Sequence, residues 1–243
     1  MKKLFVVSDI HGHYTELMAA LARKGFDRND PDHVFLHCGD LFDRGKENVQ
    51  VYDYVRNLER KILIKGNHED LLKRCLTRGY LTMTDCSNGM LVTLPQMIGE
   101  GELDENGGFD QEKHRTKINE IITFIDSMLN YYETENYIFT HGWLPIKVEG
   151  RRPYIALDWR NVSEAEWEET RWLEWQQLYG TEAMMPGKTI VCGHRPSWLG
   201  YMFDESREPD CNELFRGNGL IVVDCGTARS GFVDVLVIEE NDV

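Results

Sequence analysis

An α/β fold is predicted by three features of this 243-residue chain. Apolar runs of strand length alternate with stretches of helical periodicity, the pattern of strands and helices packed in layers. Five of the apolar runs lead at once into short polar blocks rich in Asp, His and Asn. The apolar fraction, 42%, is that of an ordinary soluble globular protein, and the length suffices for one large domain with a substantial core.

Residues 4–7 read as a first buried strand. Residues 14–24 carry Leu17 and Leu21 at helical spacing, and Gly25 ends that helix. A second strand is expected at 34–38, a second helix at 49–58 and a third strand at 61–65. Short apolar runs return at 137–140, 189–192 and 220–224, with a last strand at 232–238. Between the halves, residues 79–135 read as an insertion or cap on a single domain spanning the chain. Within it, residues 99–110 are rich in Gly and acid, a solvated loop. Ile118, Ile121, Ile122, Ile125 and Leu129 then form an apolar stripe at helical spacing, the mark of core packing. A further helix opens at Ser163, where Ser163 and Glu166 make a capping-box pattern. It is expected to carry Trp167, Trp172 and Trp175, chiefly as packing, with a substrate-facing rim as the lesser alternative.

The chain holds 41 acidic and 27 basic residues, a formal charge of -14, which argues against a broad nucleic-acid footprint. A protein this acidic needs local positive charge to handle phosphate. The six cysteines (38, 75, 86, 192, 211 and 225) form no CxxC pair and read as small buried hydrophobes in a reducing compartment. No cysteine is assigned as a nucleophile. Met1-Lys2-Lys3 followed by Leu4–Val7 mimics an export signal, but the apolar run stops at Ser8-Asp9, too short for export or a membrane span. A cytoplasmic protein without membrane partners is expected.

The five blocks are Ser8-Asp9-Ile10-His11-Gly12, Gly39-Asp40-Leu41-Phe42-Asp43-Arg44-Gly45, Gly66-Asn67-His68-Glu69, His141-Gly142 and Gly193-His194. Any one alone is an ordinary turn or a satisfied polar residue. Five in order, each behind a strand, can converge on one sheet edge, where ligand sites form. Asp9 and His11, two apart, would share a face of an extended segment and hold one cation. Asp40 is the natural bridging carboxylate, and Asn67, His141 and His194 would complete a second ion. Mixed carboxylate and imidazole donors suit Mn²⁺ first, with Fe or Zn²⁺ open and Ca²⁺ disfavoured.

These blocks resemble the motifs GDxHG, GDxxDRG, GNHE, HG and GH of the calcineurin-like metallophosphoesterases, specifically the phosphoprotein phosphatase family. Asp224-Cys225-Gly226 is similar to its terminal D-x-G. The resemblance implies a two-sheet β-sandwich flanked by helices, α/β/β/α in layers, with two divalent metals at one edge. It implies Asp9, His11 and Asp40 on the first metal, and Asp40, Asn67, His141 and His194 on the second. It further implies hydrolysis of phosphomonoesters by hydroxide held between the metals, with no covalent phosphoenzyme. Ser8 replaces the first Gly of its motif, where a small residue is tolerated. Trp143 replaces a second Gly, a change expected to reshape the pocket wall.

His68 follows the ligand Asn67 directly, so in an extended backbone its ring would point away from that metal and serve as general acid. Asp43 would orient it. Arg44 offers a planar fork to two phosphoryl oxygens, with Asn67 beside it. Arg160, in Asp158-Trp159-Arg160, is the candidate second clamp, with Arg151, Arg152 and Arg195 as competitors. His13 is expected to support a ligand or touch phosphate, and Glu69 to cap a helix starting at Asp70. The chain is similar to the compact bacterial and phage serine/threonine protein phosphatases, so the expected substrate is a phosphorylated protein. The symmetrical diadenosine tetraphosphatases share most of the motifs and supply the alternative, a small nucleotide phosphoester. Oligomeric state is not legible.

Overall fold

A computed structural model describes residues 2–240. Strand β1 (Lys2–Val7) leads to helix α1 (Tyr14–Arg23), β2 (His33–Cys38), α2 (Asn48–Arg56) and β3 (Lys61–Ile64). Four helices follow, α3 (Asn67–Arg78), α4 (Met83–Ser87), α5 (Met90–Ile98) and α6 (Arg115–Asp126). The second half holds β4 (Tyr132–Glu133), β5 (Tyr137–Phe139), β6 (Ile146–Glu149), β7 (Arg152–Ile155), α7 (Glu164–Thr170) and α8 (Trp175–Leu178). It ends with β8 (Thr189–Cys192), β9 (Phe215–Gly217), β10 (Leu220–Val222), α9 (Thr227–Ser230) and β11 (Leu236–Glu240).

The strands form two main sheets, ordered β11-β1-β2-β3 and β4-β5-β8-β10-β9, plus the β6-β7 hairpin. The centre of each sheet is parallel: β1, β2 and β3 in the first, β5, β8 and β10 in the second. β11 is antiparallel to β1, and β4 and β9 are antiparallel edge strands. Parallel pairing buries both faces, which is why these strands read as continuous apolar runs.

Alternate residues of each strand enter different cores, as a period of two requires. Leu4, Val6, Leu36 and Ile64 meet Phe139, Val191, Ile221 and Val223 between the sheets. Phe5, Val7 and Phe35 face the helices of the first half. Ile138, Ile190, Leu220 and Val222 face a layer holding Trp143, Trp159, Trp167 and Trp175. The result is the expected sandwich, helices outside two sheets. The helices of segment 79–135 belong to the first helical layer, since Met90, Leu94, Ile118, Ile121 and Ile125 share the core with Phe5 and Phe35, while its end forms β4 of the second sheet. Leu129 extends the sheet edge beyond β3, bonding Lys65 N–H at 2.9 Å and Leu63 O at 2.8 Å. The helix expected from Ser163 stops at Thr170, and the chain turns before α8, so its tryptophans divide between two helices and a loop. No helix among the described residues is long and apolar enough to cross a membrane.

Candidate active site

Register sets the convergence. Val7 pairs with His37 and Cys38 with Ile64, while Phe139 pairs with Val191 and Val222 with Cys192. All the central strands therefore end together, and the polar blocks emerge on one edge. The emerging backbone is bent hard. Among the described residues, those other than glycine with positive φ are Asp9 (51°), His11 (48°), Asp40 (66°), Asp43 (76°), Arg44 (70°) and His194 (66°). All six belong to the blocks, and a left-handed backbone in such residues persists only where surroundings hold it. Loop-to-loop bonds do so: Asp9 N–H to Gly39 O at 2.9 Å, His11 N–H to Asp40 O at 3.1 Å and Gly12 N–H to Leu41 O at 2.8 Å. Asp9 and His11 thus do not share the face of an extended segment as expected. They meet because the chain coils between them, with His11 Nε2 3.9 Å from Asp9 Oδ1.

The donor set has too few protons to satisfy itself. His11 Nδ1 lies 2.8 Å from Phe42 O, which requires Nδ1–H and leaves Nε2 as an acceptor, met here by Arg44 Nη1 at 2.8 Å. His141 Nδ1 lies 2.8 Å from Cys38 O and likewise leaves Nε2 as an acceptor. Its Nε2 then faces Asn67 Oδ1 at 2.8 Å and Asp40 Oδ1 at 3.4 Å, and His194 Nδ1 is 3.1 Å from that same Asn67 oxygen. Acceptors converging without a shared proton fit a cation between them. Asp9, His11, Asp40, Asn67 and His141 are all buried, and only His194 is partly open. Burial, reinforced by neighbouring carboxylates, pushes the Asp9 and Asp40 carboxyls well up, and burial pushes the His11 and His141 imidazoles well down. His194 is pushed down to about 3, first by burial and then by Arg195. Two groups of donor atoms, His11–Asp40–His68 and Asp40–His141–His194, each lie within 4.8 Å of one another and could hold a metal. Asp40 is common to both. His68, expected only as an acid, is part of the first group.

The backbone of His68 is helical, not extended, because α3 begins at Asn67. Glu69 therefore does cap a helix, as expected, but one that starts at Asn67 and not at Asp70. It is the third residue of α3, and its carboxylate accepts from Gly66 N–H (2.8 Å), Asp40 N–H (2.9 Å) and Leu41 N–H (2.8 Å). One buried side chain thus ties two of the blocks together. His68 N–H donates to Asp40 Oδ1 at 3.0 Å, and His68 Nδ1 meets Asp43 Oδ2 at 2.7 Å. Asp43 is fully buried and is steadied by Thr93 Oγ1 at 2.5 Å and, at its N–H, by Asn48 Oδ1 at 2.9 Å. Thr93, on α5, carried no sequence signal. Arg44 spans the rings, 2.8 Å from His11 Nε2 and 3.1 Å from His68 Nε2.

These groups floor a cleft of about 370 Å³ whose walls include Trp172, Glu174, Arg195, Asp224 and Arg229. Arg160 is absent from it, and the expectation of a second clamp there does not hold. Its guanidinium grips Glu133 through Nε at 2.8 Å and Nη2 at 2.6 Å and stacks on Trp159 at 4.3 Å. Arg195 and Arg229 face the cleft instead. Arg195 had been a competitor, and Arg229, lacking any motif, was missed. Trp143 is fully buried with its indole N–H bonded to Ala183 O at 3.0 Å, so it packs the core and does not shape the pocket wall. Trp172 does, 40% exposed with its ring 5.9 Å from that of His194. The loop reaches that position because Gly142 has no side chain. A Cβ there would meet the carbonyl oxygens of Thr170, Arg171 and Leu173 at 2.6–2.8 Å. His13 Nδ1 bonds His11 O at 2.8 Å and supports the loop without lining the cleft.

Cys38 stands six residues before Arg44, a Cys-x5-Arg spacing that the sequence reading passes over. Cys38 is fully buried between the sheets and its thiol is pushed well up by burial, the opposite of an activated thiolate.

A family model described as calcineurin-like phosphoesterase matches residues 2–226. A symmetrical bis(5'-nucleosyl)-tetraphosphatase of Hamiltonella defensa is 36% identical over 66 residues, 27% of this chain and 23% of that protein. The serine/threonine-protein phosphatase PP1-delta of Caenorhabditis elegans is 34% identical over 71 residues, 27% of this chain and 22% of its own. These matches therefore span about a quarter of the curated relatives. Over the whole fold, the chain is similar to a crystal structure described as a candidate diadenosine tetraphosphatase. The TM-score is 0.58 at 15% identity, with 98% of this chain and 93% of that one covered.

Proposed function

The chain belongs to the calcineurin-like phosphoesterase family, and on that premise we propose that this hydrolase is a metal-dependent phosphatase acting on phosphoserine or phosphothreonine in proteins. The observation that carries the reading is the Asp43–His68–Arg44 arrangement, with a 2.7 Å Asp43–His68 bond, joined through His68 to the two donor groups that share Asp40. Asp9, His11, Asp40, Asn67, His141 and His194 would hold two divalent ions. Such ions, Mn²⁺ first and Fe or Zn²⁺ compatible with the same donors, activate water and neutralise phosphate charge.

The protein's own groups do the rest. Asp43 holds His68 by Nδ1, so Nε2 faces the cleft to deliver a proton to the leaving oxygen. A bound phosphoryl group draws the Arg44 fork from the two imidazoles onto two of its oxygens. The bond from phosphorus to the leaving oxygen breaks as water adds, giving the free hydroxyl side chain and inorganic phosphate. Glu69 of the GNHE block and the local match to a serine/threonine phosphatase support this substrate class. The six free cysteines support a reducing, cytoplasmic setting.

A second reading, symmetrical diadenosine tetraphosphatase, draws on the other local match and on the presence of three arginines in the cleft. Purified protein with Mn²⁺ should be assayed in parallel on an aryl phosphate, a phosphothreonine peptide and diadenosine tetraphosphate. Turnover of the first two is expected. A preference for the dinucleotide by orders of magnitude in kcat/KM would overturn the protein phosphatase reading.

A further inference from the structure

In a chain with 41 acidic and 27 basic residues, most arginines are taken up in ion pairs. Arg56, Arg60, Arg74, Arg78, Arg115, Arg160 and Arg171 each hold a carboxylate. In the cleft such pairing is sparse, Arg195 alone of its three arginines holding a carboxylate. Among the described residues, Arg229 makes no salt bridge; its guanidinium is stacked on Trp198 at 4.4 Å, with its N–H donors left to solvent. Arg195 is held by Glu174, its Nε 3.4 Å from Oε1, and its two terminal NH2 groups make no bond to a protein acceptor among the described residues. Both line the cleft beside Asp224, apart from the Arg44 fork that bridges His11 and His68. Unpaired guanidinium donors on a cleft wall are an anion-binding surface.

Charge points the same way. The cleft walls carry the carboxylates of Asp9, Asp40, Asp224 and Glu174 against the guanidinium groups of Arg44, Arg195 and Arg229. Two divalent cations at the donor groups would turn this lining net positive, and Arg195 and Arg229 lie outside those donor groups.

We propose that Arg195 and Arg229 form a second anion subsite, so that preferred substrates carry another anionic group beside the scissile phosphoester. This rests on the phosphatase reading above and adds what that reading leaves open, the chemistry next to the phosphate. In a phosphopeptide the second group is a neighbouring carboxylate or phosphoryl; in a nucleotide it is the next phosphoryl of the chain. Trp198 holds Arg229 in place by stacking, and Glu174 limits the reach of Arg195.

The test compares two phosphothreonine peptides, one with acidic and one with neutral flanking residues, alongside an aryl phosphate and diadenosine tetraphosphate. Wild-type protein should prefer the acidic peptide by about tenfold in kcat/KM, mostly through KM, with the advantage shrinking as salt rises. R195A/R229A should bring the acidic-to-neutral ratio to near one. Glu174→Gln, which frees Arg195, should raise the ratio, a direction that damage to the fold would not give. Quenching of tryptophan fluorescence by pyrophosphate, absent or much weaker with inorganic phosphate and lost in R229A, would report the subsite without turnover. Equal rates on the two peptides, with a ratio unmoved in every variant, would overturn the proposal while aryl phosphate hydrolysis left the phosphatase reading intact. An arginine-dependent preference seen only with diadenosine tetraphosphate would support the subsite and move the substrate to the nucleotide class. Failure on every substrate would strike the phosphatase reading itself.

Discussion

His68 and Arg160 show what single residues decide. His68 is held from behind by Asp43 at 2.7 Å, and Asp43 in turn by Thr93 at 2.5 Å, a chain that fixes which nitrogen faces the cleft. His68→Asn should lower kcat by roughly 10²–10⁴ with bound metal, measured by elemental analysis, retained at the Asp40–His141–His194 group. Asp43→Asn should act in the same direction, and the double variant should fall well short of the product of the two effects, since the residues work as a unit. Survival of activity in His68→Asn would rule out the acid role. Arg160 makes the opposite case. Its bond to Glu133, with Lys188 helping at 2.9 Å, holds the Glu133 carboxyl down at about 2. A depressed carboxyl stabilises the fold above its ordinary range near 4.5 and loses that contribution as pH falls through about 2. Arg160→Ala should therefore leave kcat/KM near wild type. It should lower Tm slightly at neutral pH, an exposed pair being worth about 0–1 kcal/mol, and this Tm difference should vanish between pH 4.5 and 2. A large fall in kcat/KM would return Arg160 to the site.

At the scale of elements, the site depends on how loops are tied after their strands end. Glu69 in the first turn of α3 receives three backbone N–H groups from the β2 and β3 loops. Glu69→Gln turns an amide donor toward donors, leaving a buried backbone N–H unsatisfied at a cost of about 1–3 kcal/mol. Tm should drop, and the metal concentration needed for half-maximal activity should rise, because Asp40 loses its anchor. A variant that loses Tm alone would show that Glu69 supports the fold and not the ligand loop. The elements themselves were largely legible: the strands at 4–7, 34–38, 61–65 and 189–192 match β1, β2, β3 and β8 within two residues at either end. The last strand begins later than expected, at Leu236, and the β6-β7 hairpin and β9 were not foreseen. Those strands are short and exposed or at an edge, so they lack the continuous apolar run that buried parallel pairing imposes.

Across the whole molecule, the candidate metal ligands come from both sheets. Asp9, Asp40 and Asn67 follow β1, β2 and β3, while His141 and His194 follow β5 and β8. A cation binding these donors binds only the folded arrangement, so its affinity adds to stability, by about 2.7 kcal/mol at a hundred times its Kd. Chelation should lower Tm and abolish turnover together, and adding Mn²⁺ should restore both. Turnover persisting in thoroughly chelated protein would contradict the metal reading. Segment 79–135 also matters at this scale, because it brings Thr93 to Asp43 through the first helical layer.

The sequence by itself determined the buried central strands, the order of the polar blocks and the donor types they carry, because burial period and ligand chemistry are local properties of the chain. The tertiary structure alone decided which arginines face the cleft, that His68 is helical and that Thr93 backs Asp43. Those outcomes depend on partners far away in the chain. Glu133 draws Arg160 off, and a carboxylate in α3 reaches back across two loops. The left-handed turns at Asp9, His11, Asp40 and His194 belong to the same class, since the bonds that hold them come from neighbouring strand loops and, at Asp40, from Glu69 of α3.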